Sequence, residues 1–331
     1  MVTELLENSN VFKVVNMKKK KTIKDIVKII WTVLAAILLC GFIFQWWTNF
    51  IANETLKPEV NYTTVNGKRL DYRLSGSGEY TIVFDGAIGT TLEGWNNLTK
   101  ELENSGAYTF VYNRPGYGYS NTNSEIDIEK QAEDLKILLR KSGAPEPYIL
   151  VGEEYGSLLL TSFAEKFEES VLGVILVNPI DQKYINSGDF GKDNAVTILR
   201  RKIENLGTYC GLTTLLDNAD LDVDLKGYED LLNEEQLEEF KIQRTKTSYT
   251  NAVSNELNIL SKGNINIQKE GMFKEKPYYL VLSEKNEDFN KLGESVITTE
   301  INSDSEFLAM SEVEEMVILI EEMIEVIEDK R

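Results

Sequence analysis

The 331-residue chain contains no histidine. That removes the side chain that most often serves as a general base near neutral pH. Cysteine is scarce: Cys40 and Cys210 stand far apart, the first inside an apolar segment. Two such residues imply neither a disulfide framework nor a zinc cluster. Positive charge is also in short supply, with 35 Lys and Arg against 54 Asp and Glu and a formal net charge of -19. A chain of that sign lacks the basic face that phosphate binding needs, so no nucleic acid is expected as a partner. The acidity reads as a soluble, solvated surface. Internal repeats are absent, and so are low-complexity tracts beyond one lysine cluster. What is present is a composition 42% hydrophobic and 27% charged, ordinary for a globular protein and long enough for one large domain plus attachments.

The longest uncharged stretch runs from Ile29 to Asn53, 25 positions, enough to cross a bilayer core of about 30 Å as a helix. Lys18, Lys19, Lys20, Lys21, Lys24 and Lys28 precede it. Trp31 lies near one end, and Trp46 and Trp47 near the other, where aromatic belts form. The positive-inside rule predicts a cytoplasmic basic tail (1–28), a single transmembrane helix (29–53) and an extracytoplasmic domain (54–331) at the cell membrane. The rival reading is a cleaved signal peptide. The run is longer than a usual signal core, and bulky residues from Phe42 to Trp47 replace the small ones that cleavage requires, which favours an uncleaved anchor. Seven of the Lys and Arg and three of the Asp and Glu precede residue 29, leaving 28 against 51, or -23, for residues 54–331. A domain so acidic is expected to stand off an anionic membrane surface.

From about residue 60, short apolar runs alternate with helical patterns. Leu70–Leu74 alternates like a half-buried strand. The runs 81–84, 109–112, 148–151, 174–177 and 278–282 are β-rich and nearly all apolar, as in parallel strands covered on both faces. Ile128–Ser142 and Glu312–Ile327 carry helical spacing. The alternation predicts a doubly wound, mostly parallel α/β domain. Residues 183 to about 270 break the rhythm and read as helices over Asn194–Leu206, Gly227–Leu232, Glu234–Gln243 and Ser248–Leu260. A helical insertion between sheet strands is expected to form a cap over the strand ends, with a small apolar ligand beneath it.

One motif carries chemistry. Gly152-Glu153-Glu154-Tyr155-Gly156 follows an apolar strand and opens an apolar helix, the setting of a nucleophile elbow, Gly-x-Ser-x-Gly. Both glycines are in register, but Glu154 stands where the serine belongs.

Taken with Phe84-Asp85-Gly86-Ala87-Ile88-Gly89, Trp95 and Asn113-Arg114-Pro115-Gly116-Tyr117-Gly118-Tyr119-Ser120, the elbow closely resembles the α/β-hydrolase fold family, above all membrane-anchored bacterial members with a helical cap. The resemblance spans roughly residues 60–328, with the three motifs in the family's order. It implies a Ser-His-acid triad, and every position is altered or ambiguous. Glu154 occupies the nucleophile position, and Glu153 precedes it where histidine is frequent. Glu306, in Ser305-Glu306-Phe307, occupies the base position. Glu284, Glu287 or Asp288 occupies the acid position. The resemblance places the oxyanion loop at Gly86, Ala87 and Ile88, with Tyr155 after the elbow apex; Ala87 replaces a usual glycine.

Three readings follow. The first is a catalytically degenerate shell, a pseudoenzyme serving as a binding or regulatory module. In the second, Glu154 acts as a carboxylate nucleophile and Glu306 as the base, a hydrolase of ester-like small molecules. The third sets a cation between Glu154, Glu306 and an acid-position carboxylate; no resident metal or cofactor is otherwise expected. Arg114 is expected to brace its turn, and the protein partner is not legible.

Overall fold

A computed structural model describes residues 22–55, 60–122, 127–219, 225, 227–284 and 288–330. Eight strands form one sheet: β1 (Asn61–Val65), β2 (Lys68–Gly76), β3 (Thr81–Asp85), β4 (Tyr108–Tyr112), β5 (Tyr148–Glu153), β6 (Val171–Val177), β7 (Tyr278–Leu282) and β8 (Val296–Glu300). Their order is β1-β2-β4-β3-β5-β6-β7-β8. β2 runs antiparallel to both β1 and β4, and every other neighbouring pair is parallel. The runs read as doubly covered strands are so: β3, β5 and β7 are buried along their whole length.

Twelve helices accompany the sheet among the described residues. Ahead of the cap come α1 (Ile23–Thr55), α2 (Asn96–Glu101), α3 (Ile128–Ser142) and α4 (Tyr155–Lys166). The cap between β6 and β7 holds α5 (Gln182–Asn186), α6 (Asp189–Asp193), α7 (Ala195–Thr208), α8 (Leu212–Asp217), α9 (Glu234–Arg244) and α10 (Thr247–Lys262). α11 (Leu308–Ser311) and α12 (Val313–Lys330) close the chain. α3 starts where Asp127 caps the Glu129 N–H and stops at left-handed Gly143, the punctuation a helix needs at its two ends.

Two expectations change. The helix expected over Gly227–Leu232 is a short 3-10 turn, Glu229–Leu231, because Leu232 is extended and Asn233 opens α9 with a reciprocal capping box. The edge strands β1 and β8 add to the expected set. β1 was signalled by Asn66-Gly67, both at positive φ, a two-residue hairpin turn. β8 is mostly exposed, so it lacks the apolar run that marks a central strand.

α1 is 33 residues long, about 50 Å at 1.5 Å per residue. Its segment Ile23–Ile51 is long and apolar enough to cross a membrane. The far end of α1 is seated on the cap. Gln45, 4% exposed, donates to Asn49 Oδ1 (3.1 Å) and the Thr245 carbonyl (3.2 Å), and accepts from Thr214 Oγ1 (2.7 Å). A Cβ on Gly41 would fall 1.9 Å from the Cys210 carbonyl oxygen, so glycine is what lets the two backbones meet.

Candidate active-site cavity

The sheet brings the functional loops to one edge. Those after β3, β5 and β7 leave the carboxyl ends of parallel strands in the middle of the sheet, with β6 between the last two, where open α/β sheets place their ligands. The elbow is intact as geometry. Glu154 sits at φ 50° and ψ -112°, a strained conformation for a non-glycine residue that sharp functional turns retain. Its N–H donates to Val177 O (3.1 Å), and the Gly156 N–H to Gly86 O (3.1 Å). A Cβ on Gly156 would lie 2.2 Å from Asp85 O, and one on Gly152 2.9 Å from Gly156 O. Both glycines are therefore demanded by the crossing of helix and strand.

A cavity of about 660 Å³ lies between elbow and cap. Glu154, Glu284 and Glu306 line it, with Ile88 and Gly89 of the β3 loop on one side and Phe190, Leu257 and Leu260 of the cap on the other. Glu154 and Glu306, the expected nucleophile and base positions, thus share one space, and Glu284 joins them. Asp288 does not line it; its carboxylate pairs with Lys183 at 3.5 Å. Glu287 lies outside the described residues. Among the described residues, no group of three or more carboxylate, thiol or imidazole side chains gathers tightly enough to hold a metal ion.

Burial pushes the half-buried Glu154 carboxyl up to about 7, and the nearby Glu306 charge pushes the same way. Arg114 and the Ile88 N–H oppose this. Tyr155 is buried packing: its hydroxyl meets Gln131 at 2.8 Å, and Arg114 stacks 5.0 Å over its ring.

Sequence reasoning missed the role of Glu153. It is fully buried. Oε1 accepts the Ala309 N–H at 3.0 Å, while Oε2 has no partner. Burial raises its carboxyl to about 8, so it is chiefly neutral at pH 7. Glu153 fastens the start of α11, and with it the segment bearing Glu306, to the elbow. The adjacent Glu-Glu pair was visible in sequence; the α11 backbone it would meet was not.

Arg114 braces, as expected, but over a wider span than its own turn. It bonds Asp85 (2.5 Å), Glu256 of α10 (2.8 and 3.1 Å) and the carbonyls of Gly86 and Ala87 (2.8 and 2.9 Å). Tyr117 donates to Glu256 at 2.6 Å, and Tyr112 to Asp85 at 2.8 Å. Two buried carboxylates with one guanidinium and two phenols fix the oxyanion loop and tie it to the cap. Burial raises both carboxyls, and the Arg114 charge holds them down.

Comparison with known proteins agrees with this geometry. The family model for the α/β hydrolase fold matches residues 80–281. The chain belongs to the α/β-hydrolase fold family. It is 27% identical over 173 residues to the uncharacterized protein YbdG of Bacillus subtilis (strain 168), covering 50% of this chain and 53% of that protein. It is 30% identical over 105 residues to the uncharacterized protein YqjL of the same organism, covering 31% and 41%. The chain thus spans about half the length of the curated relatives it matches. Among solved structures it is similar to the epoxide hydrolase CorEH (TM-score 0.61, 16% identity, 80% of this chain and 97% of that one). It is also similar to a Bacillus megaterium epoxide hydrolase mutant bound to its product (TM-score 0.61, 15% identity, 80% and 100%). At such identities the likeness concerns fold.

Proposed function

We propose that this chain is a membrane-anchored binding module on a hydrolase scaffold, one that holds a small apolar ligand under its cap and no longer runs serine-hydrolase chemistry. The observation that carries the reading is the state of the elbow. Its apex presents a carboxyl raised to about 7, which shares the cavity with a second carboxylate, Glu306. Such a site has no serine to activate and no imidazole to activate it. Near neutral pH Glu154 is divided between an ionised form and a neutral form that can donate a hydrogen bond to a ligand oxygen. Retention of α1 as an anchor is supported by Gln45, whose buried amide finds its partners on the cap; a helix destined for removal has no use for them.

A second reading has one observation in its favour. Glu154 holds the strained apex conformation of a nucleophile, so its carboxylate could attack a saturated carbon and form an ester as the bond from that carbon to its leaving oxygen breaks; water, giving a proton to Glu306, would then split the ester, releasing the alcohol and restoring the carboxylate. A panel of esters and epoxides presented to the purified full chain separates the two. No turnover above that of Glu154→Ala is expected. Turnover abolished by Glu154→Ala, and retained in a surface variant such as Glu325→Ala, would overturn the binding-module reading.

A further inference from the structure

The cap carries an apolar face that none of the described residues covers. Val196, Leu199, Ile203 and Leu206 of α7 repeat at helical spacing and point outward, and Leu212 and Leu215 continue the stripe along α8. Val196 is 82% and Leu206 68% exposed. At 3.6 residues per turn, Arg200 and Lys202 flank this stripe on its two sides. Arg200 also pairs with Glu204 at 2.9 Å, and Lys202 is exposed, so both edges of the stripe carry a cation in a domain that is otherwise strongly acidic. An apolar stripe edged by basic residues is the pattern of a helix lying in a membrane interface.

The position of the stripe relative to α1 names its occupant. The α7–α8 connection meets α1 at Gly41, whose backbone touches Cys210, and at Phe44, whose ring lies against Gly211. Gly41 is five residues short of Trp46, about 8 Å along the helix axis at 1.5 Å per residue. With Trp46 and Trp47 in the aromatic belt, the joint between α7 and α8 falls below the headgroup level. Interfacial helices bury their apolar faces to a depth of about 5–10 Å, which matches. Phe42, Ile43, Trp46 and Trp47 of α1 are themselves exposed and extend the same apolar surface.

We infer that α7 and α8 form a lipid-docking surface, dipped into the leaflet on the cap side of the membrane that α1 crosses. This rests on the anchored reading of α1. It reverses the expectation that the acidic domain stands off the surface: the body is acidic, but the part that touches lipid is apolar with a basic edge. The other side of α7 supplies Asn194, Thr197 and Arg201 to the cavity wall. The helix therefore separates lipid from ligand site, and a lipid-soluble ligand could pass along it.

The test uses the full chain with Cys40→Ser and Cys210→Ser, reconstituted in vesicles of three parts phosphatidylcholine to one part phosphatidylglycerol. Single cysteines replace Ile37 in α1, Leu206 in α7, or Ile318, an exposed apolar residue of α12, which packs against α2 and β6. Each carries an environment-sensitive fluorophore, with and without nitroxide-labelled acyl chains. Labels at 37 and 206 should shift to the blue and lose about half or more of their emission to the quencher, as expected at acyl depth, while the label at 318 does neither. Quenching at 37 without quenching at 206 would overturn the docking surface and leave the anchor standing. A blue shift at 206 that the lipid quencher does not touch would place a second protein chain there and would also overturn it. No quenching at 37 would sink the anchored reading and this inference together.

Discussion

Glu153 and Glu154 are neighbours in sequence and opposites in environment. Glu154 turns into the cavity, and Glu153 turns into the protein with one oxygen unpartnered. The carboxyl of Glu153 is raised from 4.5 to about 8, so the folded state holds a proton that the unfolded chain releases at lower pH. Its contribution to stability is fully present below pH 4.5 and is lost as pH rises to about 8, because proton binding then favours the native state less and less. Glu153→Gln cannot ionise. Denaturant unfolding should show the wild type losing more stability than the variant between pH 5 and 8.5, by a few kcal/mol for so large a displacement of a buried group. Equal pH slopes would show that Glu153 is not buried as a neutral acid. Elbow spacing points to Glu154 as the expected nucleophile position, and the family resemblance points to Glu306 as the expected base position. The sequence could not separate Glu153 from Glu154 in role, since that depends on the α11 backbone more than 150 residues away.

At the scale of elements, the link between sheet edge and cap is the Arg114 cluster. Replacing Arg114 by alanine leaves Asp85 and Glu256 buried without a cation, which typically costs about 3–5 kcal/mol. Thermal and urea unfolding of Arg114→Ala should show that loss near pH 7. The loss should shrink as pH falls, since both carboxyls are raised by burial and take up protons readily once the guanidinium is gone. A loss within about 0.5 kcal/mol, the scale of an ordinary surface change, would show that the cluster does not join cap to sheet. The central strands and the long helices were legible because their residues are wholly buried or amphipathic. β1 and β8 were not, lying at edges where one side faces solvent. The short helices α5, α6, α8 and α11 span four to six residues each, too few for a period to show.

For the whole molecule, the question is whether α1 stays. The seat of Gln45 between Thr214 and Thr245 predicts that the membrane-associated protein retains α1, as intact mass spectrometry would show; a chain beginning near residue 54 would contradict it. The sequence by itself determined the apolar run, the alternation of strand and helix and the order of the three motifs. All of these are set by residues a few positions apart, through periodicity, turn chemistry and composition. The tertiary structure alone decided which carboxyls share the cavity, which carboxyl is buried and neutral, and that α1 meets the cap at Gly41. Those depend on dielectric surroundings and backbone contacts between segments that only folding brings together.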